Sequence, residues 1–191
     1  MRCILCHNLS FSLICTACRH TYLQPTPSIR MLDAGFRVYS FYRYHEIAPI
    51  LKRKHTYIGA ALYRMLAAHA FDAFKSAFAF PLPVGIVPVD DHTKNGYAHT
   101  AIIARGLQTD MLRPCYRSLR ARNDIRYAGK TLTYRKRHPR GFRYDCKRYE
   151  NVIIVDDIVT TGTTISEARE VIEKVGATPI FAITLADARE V

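Results

Sequence analysis

The stretch best equipped for chemistry is 152–164, which reads VIIVDDIVTTGTT. Four β-favouring apolar residues lead into Asp156 and Asp157, and a hydroxyl-rich turn (Thr160, Thr161, Gly162, Thr163, Thr164) then opens a helix. Backbone N–H groups at a helix start, interleaved with threonine hydroxyls, can wrap a phosphate dianion. Gly162 lets backbone approach a ligand where a side chain would block it. The carboxylates cannot serve that same phosphate, because like charges repel. They suit neighbouring vicinal hydroxyls, such as those of a ribose, each accepting a charge-assisted hydrogen bond worth about 1.5–3 kcal/mol. No Gly-Lys-Ser/Thr follows the glycine, which excludes a P-loop. Acids and threonine caps at strand ends also occur without function, but the full run is more specific than its parts.

A second group of candidates is Cys3, Cys6, Cys15 and Cys18, spaced C-x2-C-x8-C-x2-C. Each C-x2-C knuckle brings two thiolates to one point, and two knuckles complete a tetrahedron for Zn2+. With four sulfur ligands no position is left for water, so such a site is structural. The alternative is two disulfides or isolated core cysteines. Cys115 and Cys146 fall outside the pattern and read as core or surface thiols.

The third group is cationic. The chain carries 28 Lys and Arg against 16 Asp and Glu, a formal net charge of +12. Residues 113–148 hold thirteen of those cations and two acids, interleaved with Tyr116, Tyr127, Tyr134, Phe142 and Tyr144. Guanidinium groups bind phosphates in a fork, and aromatic rings offer stacking platforms to unpaired bases. Arg135, Lys136, Arg137, Arg140 and Tyr134 are the candidate contacts to single-stranded nucleic acid. The competing reading of the same segment is a mobile hood over an active site.

These groups must be positioned by elements that the apolar pattern outlines. Residues 36–44 and 84–89 read as strands, 57–75 as an amphipathic helix with Leu62, Met65, Leu66, His69 and Phe74 on its apolar face, and 98–108 as a helix. Residues 152–155 suggest a central strand covered on both faces. A helix over 165–175, stopped at Gly176, and a strand over 179–185 follow. Alternating strands and helices predict an α/β domain with a mainly parallel sheet. The 191 residues, 49% of them hydrophobic, exclude a disordered chain. The expected organisation is a zinc-finger module over 1–27 followed by the α/β domain over 28–191. The longest charge-free apolar stretch is broken by Pro81, Pro83 and Pro88, so no membrane span is expected, and the N-terminus lacks a signal-peptide cleavage pattern. The expected location is the cytoplasm.

The 152–164 run resembles the phosphoribosyl pyrophosphate signature of type I phosphoribosyltransferases. Together with the cysteine knuckles it resembles the ComF-type competence proteins, in which a small zinc module precedes a phosphoribosyltransferase domain. The resemblance implies that Asp156 and Asp157 hold the ribose hydroxyls, that residues 160–164 enclose the 5′-phosphate, and that Lys52, in a Leu51-Lys52 pair, meets the pyrophosphate with Mg2+ bridging. A solvated cation is the alternative for Lys52. After Val87-Pro88-Val89 the family usually shows Arg-Gly-Phe-Asn-Gln, where this chain has Asn95-Gly96-Tyr97-Ala98-His99. The implied function is a competence factor for natural DNA transformation that binds phosphoribosyl pyrophosphate and handles single-stranded DNA, with other DNA-uptake proteins as partners. The alternative is transfer of a phosphoribosyl group to a nucleobase; no catalytic residue is singled out.

Overall fold

The structure, a computed structural model, describes residues 1–89, 97–123 and 132–189. After a short helix α1 (Thr16–Tyr22) come β1 (Ser28–Met31), β2 (Arg37–Arg43), α2 (Tyr44–Leu51), α3 (Gly59–Ala77), β3 (Val84–Pro88), α4 (His99–Gly106) and β4 (Leu112–Pro114). The second half holds β5 (Leu119–Ala121), α5 (Leu132–Arg137), β6 (Phe142–Tyr144), β7 (Asn151–Val159), α6 (Thr163–Lys174) and β8 (Thr178–Asp187). The main sheet has the order β1-β2-β8-β7-β3-β4, parallel throughout except for the antiparallel edge strand β1. The fold is therefore α/β with a mainly parallel sheet, as the alternation of elements predicts.

Both faces of the sheet are covered, which explains the unbroken apolar run in β7. Ile153 and Val155 join Leu62, Tyr63, Leu66, Phe71 and Ile103 in one core, built on α2, α3 and α4. Val152 and Ile154 join Ile165, Ala168 and Ile172 of α6 in the other, which Phe142 and Tyr144 of β6 complete. Successive strand residues point to opposite faces, so a strand buried on both needs apolar side chains at every position. Helix α6 ends as the sequence predicts: Gly176 takes φ +90°, its N–H donates to Glu173 O at 3.0 Å, and Ala177 N–H reaches Ile172 O at 3.3 Å. That pair of bonds satisfies two orphan carbonyls of the last turn.

Two expectations need correction, and one element is new. His69 is exposed on α3 rather than on its apolar face, because the buried stripe runs through Leu62, Leu66 and Ala70. The strand predicted to stop at Val155 continues to Val159, since β8 goes on supplying ladder partners, Asp156 to Thr184 and Val159 to Asp187. Helix α2 was not anticipated from the pattern. It contains Pro49, yet Glu46 accepts from Arg43 N–H at 3.2 Å to cap its start, and Ile47, Ile50 and Leu51 are buried.

Beyond β4, the described parts of the arginine-rich segment leave the sheet as an arm. Its base is a two-stranded antiparallel ribbon, β5 with β6, and α5 packs on α6. Glu167 of α6 accepts from the backbone N–H groups of Arg140 and Gly141, at 3.1 and 2.6 Å, and so ties the returning limb down. The Cys115 and Cys146 thiols lie 3.4 Å apart where the arm begins and ends.

Candidate functional site

The site is built where β7 outruns its neighbour. On one side β7 pairs with β3 only as far as Val155, whose carbonyl accepts from Val89 N–H at 2.8 Å. On the other side β8 accompanies it to Val159. Asp156 and Asp157 therefore stand at the carboxyl end of a central parallel strand, where α/β sheets bind ligands.

The two carboxylates occupy different surroundings, because adjacent strand residues face opposite ways. Asp157 is buried on the α3–α4 face. Its Oδ2 takes Lys54 Nζ at 2.9 Å, Tyr63 Oη at 3.3 Å and His99 Nε2 at 3.3 Å. Burial pushes this carboxyl up, but His99 and Lys54 outweigh it and hold it well below the usual carboxylate range. Asp156 is half-buried, and its Oδ1 accepts from Asp157 N–H at 2.8 Å. Burial first and the charge of Asp157 second push it up to about 7, with Arg140 of the arm pulling the other way. Burial and the neighbouring Asp157 raise the Tyr63 phenol far above its ordinary value, so it remains a donor.

Lys54, Tyr63 and His99 were not singled out from the sequence. Lys54 sits two residues after Lys52, which caps the end of α2 and is exposed. The Tyr97 hydroxyl donates to the Lys54 carbonyl and holds that turn in place. Tyr97 and His99 both belong to the stretch that departs from the expected family pattern, and the departure itself was the available signal. Asn95 and Gly96 lie outside the described residues.

The turn that follows is exposed at Thr160 and Thr161 and half-buried at Thr163 and Thr164. The Thr161 and Thr163 hydroxyls meet at 2.9 Å. Gly162 takes φ +82° at the start of α6, and no side chain caps its helix. A Cβ there would stand 2.5 Å from Leu32 Cδ2 and would have to push that side chain aside, in addition to adopting the left-handed backbone angle. The first turn of α6 carries no acid that would compete with an anion.

Of the nucleic-acid candidates, Arg137 is exposed and Tyr134 half-buried. The Tyr134 ring is stacked on His138 with centroids 4.2 Å apart. Arg140 lies near enough to Asp156 to lower its pKa. Arg135 and Lys136 are on α5 with side chains outside the described set, and Tyr127 lies outside the described residues.

The four N-terminal cysteines converge. Their Sγ atoms all lie within 4.8 Å of one another, and none is in a disulfide. A tetrahedral zinc–thiolate site at about 2.3 Å per bond fits such a cluster. Backbone N–H groups of Cys15 and Cys18 point at Cys3 Sγ and Cys15 Sγ, both at 3.4 Å, which stabilises thiolate charge. The cluster fits a structural zinc module.

Residues 146–190 match the phosphoribosyl transferase domain. That span holds β7, the threonine turn, α6 and β8, and with the parallel sheet it defines the fold as the phosphoribosyltransferase type. Solved structures similar to the chain include UMP synthase of Leishmania donovani, at 18% identity and TM-score 0.43, covering 90% of this chain and 31% of that one. Another is orotate phosphoribosyltransferase from Aeropyrum pernix, at 18% identity and TM-score 0.40, covering 88% and 78%. A third is an adenine phosphoribosyltransferase, at 18% identity and TM-score 0.42, covering 90% and 89%. The chain thus spans about a third of the UMP synthase and most of the other two. No curated protein sequence matches it. Among the described residues no helix is long and apolar enough to cross a membrane.

Proposed function

We propose that the protein binds phosphoribosyl pyrophosphate with Mg2+ and handles single-stranded DNA in the cytoplasm, as a competence factor for natural transformation. The observation that carries the ligand reading is the acid pair and threonine turn at the carboxyl end of β7, within the segment that matches the phosphoribosyl transferase domain. Residues 160–164 enclose the 5′-phosphate. A ribose lying across the uncovered end of β7 meets one carboxylate from each face, Asp156 and the Oδ1 of Asp157. Lys52 approaches the pyrophosphate. Mg2+ would be carried chiefly by ligand phosphates, as is usual for this ion, and Asp156 would be the carboxylate that helps hold it.

The charge of Asp156 gives this reading a pH signature. A carboxyl raised to about 7 is largely protonated at pH 6 and ionised at pH 8. If ribose hydroxyls or Mg2+ need the anion, affinity for phosphoribosyl pyrophosphate rises between those values and levels off above. Asp156→Asn removes that component, leaving the titration of the ligand's own phosphates. Calorimetry across pH 6–8 checks it, and identical pH profiles for the two proteins would remove Asp156 from the ligand set.

The DNA half of the reading rests on the arm, with its thirteen cations and interleaved rings. Single strands are expected to bind in preference to duplex, because stacking needs unpaired bases. Replacing Arg135, Lys136 and Arg137 by alanine should flatten the log–log salt slope by about 1 to 2, at roughly 0.7 per phosphate contact. Tyr134→Ala should cost about 1–3 kcal/mol with little change in slope. Arg140 stays intact in this test because it also acts on Asp156. Fluorescence anisotropy over a salt series decides, and an unchanged slope takes the arm out of DNA binding.

The second reading, phosphoribosyl transfer to a nucleobase, is favoured by the Lys54–Asp157–His99 cluster beside the proposed ribose position. Pyrophosphate release in the presence of bases or DNA separates the two.

A further inference from the structure

The edge strand β1 and the residues after it meet the threonine turn at two points and helix α6 at a third. Arg30 of β1 donates through Nη1 to the Thr160 carbonyl and holds Asp187 of β8 through Nη2 at 2.9 Å. Leu32 fills the space beside Gly162 that a side chain there would need. Asp33 O accepts from Arg169 Nη1 of α6 at 3.2 Å, while that guanidinium lies 4.8 Å from the centre of the Phe36 ring. Asp187 is held a second time by Arg189, at 2.7 Å.

Arg30 and Asp187 are each only 7% exposed. A buried ion pair is a weak device for stability, because desolving both charges costs about what their attraction returns. Its value lies in direction. In a trans peptide the carbonyl and the next N–H point opposite ways. A guanidinium that draws the Thr160 carbonyl toward β1 therefore turns the Thr161 N–H away from β1. We infer that Arg30 is a positioning residue: it orients the Thr160–Thr161 peptide so that the turn presents its N–H donors to a phosphate that Arg30 itself does not touch. This rests on the reading of 160–164 as a phosphate site. A lysine keeps the charge but cannot span both acceptors with a planar fork.

The test compares wild type with Arg30→Lys and Arg30→Met, titrating ribose 5-phosphate and, separately, pyrophosphate with Mg2+. Amide hydrogen exchange at residues 161–164 is read alongside. Arg30→Met is expected to weaken ribose 5-phosphate by about tenfold or more, Arg30→Lys by an intermediate factor, with pyrophosphate affinity unchanged and exchange at 161–164 accelerated. Unaltered ribose 5-phosphate affinity in folded Arg30→Met overturns the inference. Arg30→Lys serves the same purpose should the methionine variant not fold: wild-type affinity and wild-type exchange in it overturn the inference equally. If wild type binds no ribose 5-phosphate, the phosphate-site reading falls, and amide exchange then decides the orientation by Arg30: faster exchange at 161–164 in the variants supports it, and unchanged exchange overturns it.

Discussion

Asp157→Ala is expected to abolish measurable ligand binding and to lower the thermal midpoint by about 6–20 °C. The carboxylate is buried and receives Lys54, Tyr63 and His99 at a single oxygen. Removing one partner of a buried pair leaves the remaining charges uncompensated, at about 3–5 kcal/mol. For a chain of this size each kcal/mol moves the midpoint by about 2–4 °C. Asp157→Asn keeps an acceptor for the same donors and should cost less, about 1–3 kcal/mol. The linkage has a definite sign. Because the folded-state pKa of Asp157 is depressed, its contribution is present above the unfolded carboxylate range and is lost as the pH falls below it. Calorimetric melts at pH 7 and pH 2.5, the latter well below the unfolded carboxylate range, should therefore differ more for wild type than for Asp157→Asn. Equal melts for wild type and the alanine variant would mean that the cluster is not the anchor described here.

The largest effect is expected from the cysteines. Protein purified under reducing conditions should carry one equivalent of zinc, and Cys15→Ser should lose it. Apparent binding energies of about 10–16 kcal/mol for such sites match or exceed the whole stability of a typical domain. Cys15 is half-buried, so the serine itself disturbs little packing. The consequence should not stay local. Cys3, Ile14, Cys18 and Leu23 share one core with Ile47, Leu62 and Leu66, and the Tyr42 hydroxyl donates to Leu23 O and Leu66 O at 3.5 and 3.4 Å. Loss of metal is thus expected to destabilise α2 and α3 along with residues 1–27, instead of releasing an independent finger. Elemental analysis and hydrogen exchange check both parts. Metal-free protein with a wild-type melt would sink the idea.

Much of this was legible because the chemistry is local. The knuckles, the apolar run of β7, the acids and the turn each lie within a few residues, and periodicity placed α3, α4, α6 and β8 near their observed bounds. What escaped is assembled across the chain. Lys54, Tyr63 and His99 reach Asp157 from the α2–α3 turn, α3 and α4; nothing local distinguishes Lys54 or Tyr63 from solvated or core residues, and His99 is marked only by the altered 95–99 stretch. Equivalence of the two acids was the natural reading of a DD pair, whereas alternation along a strand separates them. Helix α2 was hidden by Pro49, since its hold comes from burial of Ile47, Ile50 and Leu51 and not from propensity. Strand β1 was hidden because an edge of four residues carries little pattern of its own.

The place of β8 governs how such a chain can fold. It lies between β2 and β7, so the β1–β2 edge and the β7–β3–β4 block meet through it. Val38 pairs with Ala182, and Asn151 with Thr178, in one parallel ladder after another. The β2–β8 pairings, distant in sequence unlike the β7–β8 crossover, pay their loop-closure entropy before any contact repays it, which slows folding. Until residues 178–187 dock, β2 and β7 each present an open edge with apolar faces, the state in which chains cross-pair and aggregate.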